Sequence, residues 1–384
     1  KVQDNGTGNL SSQATITVTL LNVNEAPVIA NQAFSINENS SNGALVGNVI
    51  ASDPDAGQTL TYSIVSGNTG SAFAINASTG ALTVNTSSVL NYEVNPSFAL
   101  VIKVQDNGTG SLSSQATITV SLMNVNEAPV IANQAFSISE NSANGTLVGN
   151  VAASDPDAGQ TLTYSILSGN TGSAFAINAS TGALTVNNLS ALNFEVNPSF
   201  ALVIKVQDNG TGALSSQATI TVSLLNVNEA PVIANQAFSI NENSANGTLV
   251  GNVVASDPDA GQTLNYSIVS GNTGSAFAIN VSTGALTVNN SSAVNYLMNP
   301  SFTLTVRVTD NGTGNLFSEA SITITVLQTP NQPPVIFDQQ FSVIENSANG
   351  TMVGNVIASD PDAGQTLTYS IVSGNTGSAF TINA

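Results

Sequence analysis

The residues best suited to chemistry in this chain are its carboxylates, and their placement is strongly patterned. Asp53-Pro54-Asp55 lies in the stretch SDPDAGQ at residues 52–58, which returns at 154–160, 256–262 and 359–365. Of 23 acids, 21 fall at six recurring places. These are Glu38, Glu140, Glu242 and Glu345 in ENS, both acids of each DPD, and Glu93 and Glu195 in LNYE or LNFE. The remainder are Asp4, Asp106, Asp208 and Asp310 in DNGTG, and Glu25, Glu127 and Glu229 in NVNEAP. Only Glu319 and Asp338 lie elsewhere, and the four bases (Lys1, Lys103, Lys205, Arg307) share one recurring place of their own.

A single Asp-Pro-Asp-Ala-Gly is a competent turn, with Asp capping and Gly accepting positive φ. Asp-Asn-Gly likewise suits a hairpin. Turn chemistry does not require the Glu of ENS, of LNYE or of the linker NVNEAP. Acids confined to turns and linkers, and nearly absent from other exposed positions, make a ligand set for a hard cation. Calcium takes roughly six to eight oxygens from carboxylates, amides, backbone carbonyls and water. The neighbouring Asn91, Asn124 and Asn126 supply neutral oxygens that suit calcium rather than zinc. Carboxylates gathered in one locality repel unless a cation neutralises them.

Composition narrows the alternatives. The chain has no Cys, no His and no Trp, which removes Cys/His zinc sites and imidazole-dependent triads. A formal charge of −19 argues against nucleic acid and anionic lipid as partners. No apolar run is long enough to span a membrane. A paired-carboxylate glycosidase is the enzymatic alternative, but near-identical acids in every repeat fit a periodic structural role better.

The elements that must position these acids repeat at domain spacing. Asp53, Asp155 and Asp257 are 102 apart and Asp360 follows 103 later. This divides the chain into an end piece at 1–26, full repeats at 27–128, 129–230 and 231–333, and a truncated repeat at 334–384. The chain begins and stops in mid-repeat, as expected of a segment of something longer. Within a repeat, apolar residues alternate: Phe98, Leu100, Ile102 and Val104 point one way, as do Ala116, Ile118, Val120 and Leu122. Further strands are expected at 33–37, 45–51, 60–65, 72–76 and 81–85, separated by Gly- and Asn-rich turns. Seven short strands in about 100 residues predict a β-sandwich of immunoglobulin-like shape, with Phe34, Tyr62, Phe73, Tyr92 and Phe98 in the core.

The ordered set ENS, ASDPDAG, YSI, TGALTV, LNYE, VQDNG, NVNEAP resembles the cadherin repeat along the whole chain. It is similar in particular to the cadherin-like repeats of large bacterial surface adhesins. The resemblance implies an all-β chain of tandem Greek-key, seven-stranded sandwiches in a linear rod, with calcium at each junction. At the first junction it implies Glu38, Asn91, Glu93, Asn124, Asn126 and Glu127 with Asp155, Asp157 and Asp208. At the second it implies Glu140, Asn193, Glu195, Asn226, Asn228 and Glu229 with Asp257, Asp259 and Asp310. Asn22, Asn24 and Glu25 would face Asp53, Asp55 and Asp106, while Glu242 would face Asp360 and Asp362.

This chain departs from the family pattern in places. The family's Asp-x-Glu reads Asn91-Tyr92-Glu93 here, and the linker opens with Asn. There is no Trp for strand exchange. At the third junction Leu297 replaces the Glu, and QTPNQPP at 328–334 replaces NVNEAP, which predicts weaker or partial calcium binding and a stiffer or differently angled linker. The expected function is a calcium-stiffened repeat region of a secreted or surface-anchored adhesin, with homophilic, cell-surface or glycan partners. A passive spacer or a carbohydrate-binding module is the alternative, and exposed aromatics for sugar stacking are scarce.

Overall fold

The computed structural model describes residues 1–362 and 365–383. It contains two compact units, Lys1–Leu225 and Asn226–Ala384. The first unit carries two sandwiches, each with its own core, behind a leading segment in which Val2–Gln3 pairs with Ser11–Ser12. The second carries a third sandwich and a shorter piece in which Val335–Ile336 pairs with Ala358–Ser359. Among the described residues no helix is long and apolar enough to cross a membrane.

The first sandwich shows why this sequence folds as it does. Strands Ser97–Gln105 and Ser113–Met123 form a long antiparallel pair, with Phe98 opposite Val120, Leu100 opposite Ile118 and Ile102 opposite Ala116. Strict alternation buries these side chains on one face while Thr117 and Thr119 stay outward. Thr61–Ser66 flanks this pair on one side, and Gln32–Asn37 joins Ser113–Met123 in parallel on the other. The facing sheet has the order Leu45–Asn48, Ala81–Val84, Phe73–Ile75. Val28–Ile29 pairs with Ala51–Ser52 as a separate two-stranded ladder beside these two sheets. The two sheets meet through an edge-to-face Phe73–Phe98 pair at 5.1 Å, repeated by Phe175–Phe200 and Phe277–Phe302.

Two glycines are dictated by close approach. Gly67 has φ +80 and follows the bulge opposite Val101/Ile102; a Cβ there would overlap the Ala99 carbonyl oxygen. Gly47 lies against the Phe34 ring, so Phe34 packs on a bare backbone and is only partly buried.

The expectation for Tyr92 is corrected. Tyr92 is 37% exposed, whereas Phe34, Tyr62, Phe73 and Phe98 belong to or pack on the core. The Tyr92 backbone amide donates to Glu38 Oε2 at 2.8 Å. That bond fixes the Leu90–Tyr92 backbone with only Leu90 turned fully inward.

Candidate metal centre

Strand Gln32–Asn37 ends beside the linker that follows Ser113–Met123, because these two strands run in parallel. Glu38 therefore leaves its strand facing residues 124–127. It is 2% exposed, and each of its oxygens accepts a backbone amide: Oε1 from Val125 and Oε2 from Tyr92, both at 2.8 Å. Two charge-assisted hydrogen bonds of this kind orient a buried carboxylate. Tyr92 carries the next residue, Glu93, toward the same place. One oxygen from each of Glu38, Glu93 and Glu127 lies within 4.8 Å of the others.

The following sandwich supplies the second half of the site. The Glu127 amide donates to Asp157 Oδ2 at 2.7 Å, and Asp155 Oδ1 accepts the Asp157 amide at 3.0 Å. Asn126 Nδ2 donates to Asp208 Oδ2 at 3.1 Å, and Gln160 Nε2 donates to Asn126 Oδ1. Asp208 Oδ1 holds the Gly210 amide at 3.1 Å, so the DNG turn also aims its other oxygen at the linker. Asp157 and Asp208 are buried; Asp155 is half-buried.

Electrostatics follow this crowding. Although much of its surface is exposed, Glu93 has its carboxyl raised above the ordinary range by desolvation, aided by the charges of Glu38, Glu127 and Asp157. Desolvation, with Asp157 and Asp208 nearby, raises Asp155 in the same way, and Asp257 is raised likewise beside Asp259 and Asp310. Asp55 goes the other way: the Glu25 amide and then the Asn22 side chain hold its carboxyl down.

Three oxygens at the first junction are buried without a hydrogen-bond partner among the described residues: Glu127 Oε2, Asp155 Oδ2 and Gln160 Oε1. Native proteins rarely leave such acceptors unsatisfied. Each is an anionic or amide oxygen, the donor chemistry of a hard cation. The residues present fit calcium.

The other predicted ligands fall as follows. Asn22 and Glu25 meet Asp55, and Asn24 meets Asp106 at 3.1 Å; Asp53 Oδ2 is a further buried acceptor without a partner among the described residues. Within the second unit, Asn228 bonds Asp310 at 3.0 Å, the Glu229 amide bonds Asp259 at 2.8 Å, and Asp257 precedes them in the same turn. Asn226 belongs to that unit, while Glu140 and Glu195 belong to the first, where Glu140 Oε2 accepts the Phe194 amide at 2.8 Å. Asn91 and Asn193 use their side-chain oxygens in turns, accepting the amides of Val94 and Val196 at 2.7 Å. Asn124 is exposed.

Beyond the third sandwich, Glu242 still accepts Thr329 and Tyr296 amides, and the Gln332 amide bonds Asp362 Oδ2 at 2.5 Å. Asp360 Oδ1 holds the Asp362 amide at 2.8 Å. There, however, Leu297 and Gln332 stand where Glu93 and Glu127 stand in the first repeat. Sequence reading missed Asn39 and Gln160, which reach into the site as neutral amides and add nothing to a charge census. It also left Glu319 unexplained. This residue lies directly across from Arg307 and pairs with it at 2.7 Å.

The family model described as "Cadherin domain" matches residues 32–123, 134–225 and 236–327. The chain belongs to the cadherin family. Each matched cadherin repeat begins on the strand that leads to Glu38 or its equivalent and ends on the strand that leads into the linker. Human Protocadherin Fat 1 is 31% identical over 94% of the chain, and human Protocadherin Fat 4 is 32% identical over 97%. The chain spans 8% of the length of each. Among solved structures, the extracellular domain of Protocadherin GammaB4 is 25% identical at TM-score 0.64, covering 94% of this chain and 60% of that one. The EC22-24 fragment of mouse cadherin-23 shares the fold at 24% identity and TM-score 0.60, covering 80% and 100% respectively.

Proposed function

We propose that this chain is a calcium-binding cadherin-repeat region of a surface or secreted adhesin, in which the metal clamps successive sandwiches and limits bending at their linker. The observation that carries this reading is the convergence at the first junction. Glu38 and Glu93 from one sandwich meet Glu127 of the linker, whose own amide is bonded to Asp157 of the next. Bound calcium would neutralise this cluster and accept oxygens from both sandwiches at once. The protein's part is to hold those oxygens in place. Glu38 is braced by two amides, Asp155 and Asp157 sit in a tight turn, and Asn126 is held by Asp208 and Gln160.

Extracellular modules bind calcium with Kd of about 10⁻⁴–10⁻³ M. That range suits the millimolar calcium found outside cells, and a position at the cell surface or outside the cell is part of the same proposal. Homophilic contact between copies, and the likeness to bacterial adhesin repeats read from the motif order, belong to this same proposal; the two curated relatives described above are human. No catalytic role is proposed. Small-angle scattering in millimolar calcium and in excess EDTA tests the clamp. The reading predicts a longer, stiffer particle with calcium, and identical curves would refute it.

A further inference from the structure

Asn39 follows Glu38 in the ENS turn and has no assigned role in the site so far. Its backbone has φ +54, in the left-handed region that Asn tolerates better than most residues. Its amide donates to Leu90 O at 3.0 Å, which fixes the turn. Its side-chain Nδ2 donates to Glu127 Oε1 at 2.8 Å, spanning 88 residues of sequence. An ionised carboxylate is acceptor-only, so the nitrogen of the Asn39 amide must face it. The other oxygen, Glu127 Oε2, is the buried acceptor without a partner among the described residues. Neighbouring Glu38 holds the Val125 amide, so two successive residues grip the linker at two points.

We propose that Asn39 is a positioning residue that engages one oxygen of Glu127 and thereby presents Oε2 alone to the metal. This rests on the calcium reading above. A linker Glu has several free rotors, and ordering them on binding would weaken affinity. A donor outside the ligand shell removes that freedom in advance, and the loss of such partners costs about 10–100-fold in metal affinity. The left-handed turn recurs at Asn141, Asn243 and Asn346. After the third repeat, Gln332 stands at the position of Glu127, so the carboxylate for Asn243 to orient is missing where Leu297 also removes a ligand.

Terbium bound in a calcium site emits when a nearby tyrosine is excited, and Tyr92 adjoins Glu93. In the full chain, the emission lost in Tyr92→Phe reports the first junction alone; Phe194 shows that the position accepts Phe. Asn39→Gly keeps the left-handed backbone and drops the amide. Asn39→Asp keeps the side-chain size and replaces the donor with a like charge. The Tyr92-dependent terbium midpoint should weaken about tenfold in Asn39→Gly and further in Asn39→Asp. Calcium competition should shift in parallel, and the melting temperature of Asn39→Gly in EDTA should stay at the wild-type value. An unchanged midpoint in Asn39→Gly overturns the positioning role, and so does a lowered melting temperature in EDTA, which would mark Asn39 as a fold residue. A wild type with no calcium-displaceable, Tyr92-dependent emission overturns the calcium reading itself and the positioning role with it.

Discussion

The Glu127 amide donates to Asp157 Oδ2 at 2.7 Å, joining the linker to the turn of the next sandwich. Asp157 is 4% exposed, so this bond is shielded from water. The same carboxylate is a proposed ligand, and its two duties can be separated. Asp157→Asn keeps an acceptor for the amide and loses the charge; it should melt near wild type in EDTA but gain little on adding calcium. Asp157→Ala strands the amide and should cost about 1–3 kcal/mol even in EDTA. Thermal melts of both variants with and without calcium check this, and equal behaviour of the two would contradict it.

Leu297 gives the natural experiment at the third junction. Glu93→Leu should transfer that condition to the first junction, weakening its calcium affinity by more than tenfold. In the reverse direction, Leu297→Glu combined with Gln332→Glu should add binding capacity. Calorimetric titration of the full chain reads both as changes in the number of tight sites. An unchanged isotherm in Glu93→Leu would remove Glu93 from the ligand set.

Acid should act in opposite directions with and without metal. Glu93 and Asp155 have folded-state carboxyls raised above their unfolded values, so their charged forms oppose folding at neutral pH. That opposition is relieved as pH falls through the raised values toward about 4, the unfolded range. Asp55 is depressed; its contribution to stability is present above the unfolded value and is lost only as pH falls through its lower folded value. In EDTA, mild acidification from neutrality should therefore raise the melting temperature. In calcium the same protons compete for ligand oxygens, and the melting temperature should fall. Parallel curves in the two media would contradict the assignment.

Glycine positions with the same sign of φ should differ in cost. Gly67→Ala adds a Cβ against the Ala99 carbonyl as well as left-handed strain, and should destabilise by about 2 kcal/mol or more. Gly57→Ala meets only open space at φ +86, so its cost should be the left-handed strain alone, about 1 kcal/mol. Urea denaturation of each variant in EDTA separates them.

The sandwich was legible because strict alternation in 97–105 and 113–123 leaves a single face for Phe98, Leu100, Ile118 and Val120. Tyr92 misled because an aromatic beside Leu90 reads as core, while its backbone is taken up by Glu38. Glu38, Glu93 and Glu127 were legible because so little other charge surrounds them in sequence. Asn39 and Gln160 were not: an amide carries no charge, and its role depends on a carboxylate or amide brought near only by the parallel pairing of the first and last strands. Asn91 and Asn193 show the reverse case, since an Asn beside a ligand is equally good at closing its own turn.

That parallel pairing has a consequence for how the chain reaches its native state. Gln32–Asn37 must find Ser113–Met123, far along the sequence, before its sandwich closes. Gln134–Ser139 and Gln236–Asn241 offer nearly the same six residues to nearly the same partner strands. Side-chain complementarity can scarcely tell right partner from wrong, so selection falls to loop length, which penalises distant closure only gently. Strand exchange between adjacent repeats is the misassembly this architecture invites on refolding, and emergence from the ribosome one repeat at a time is the natural protection against it.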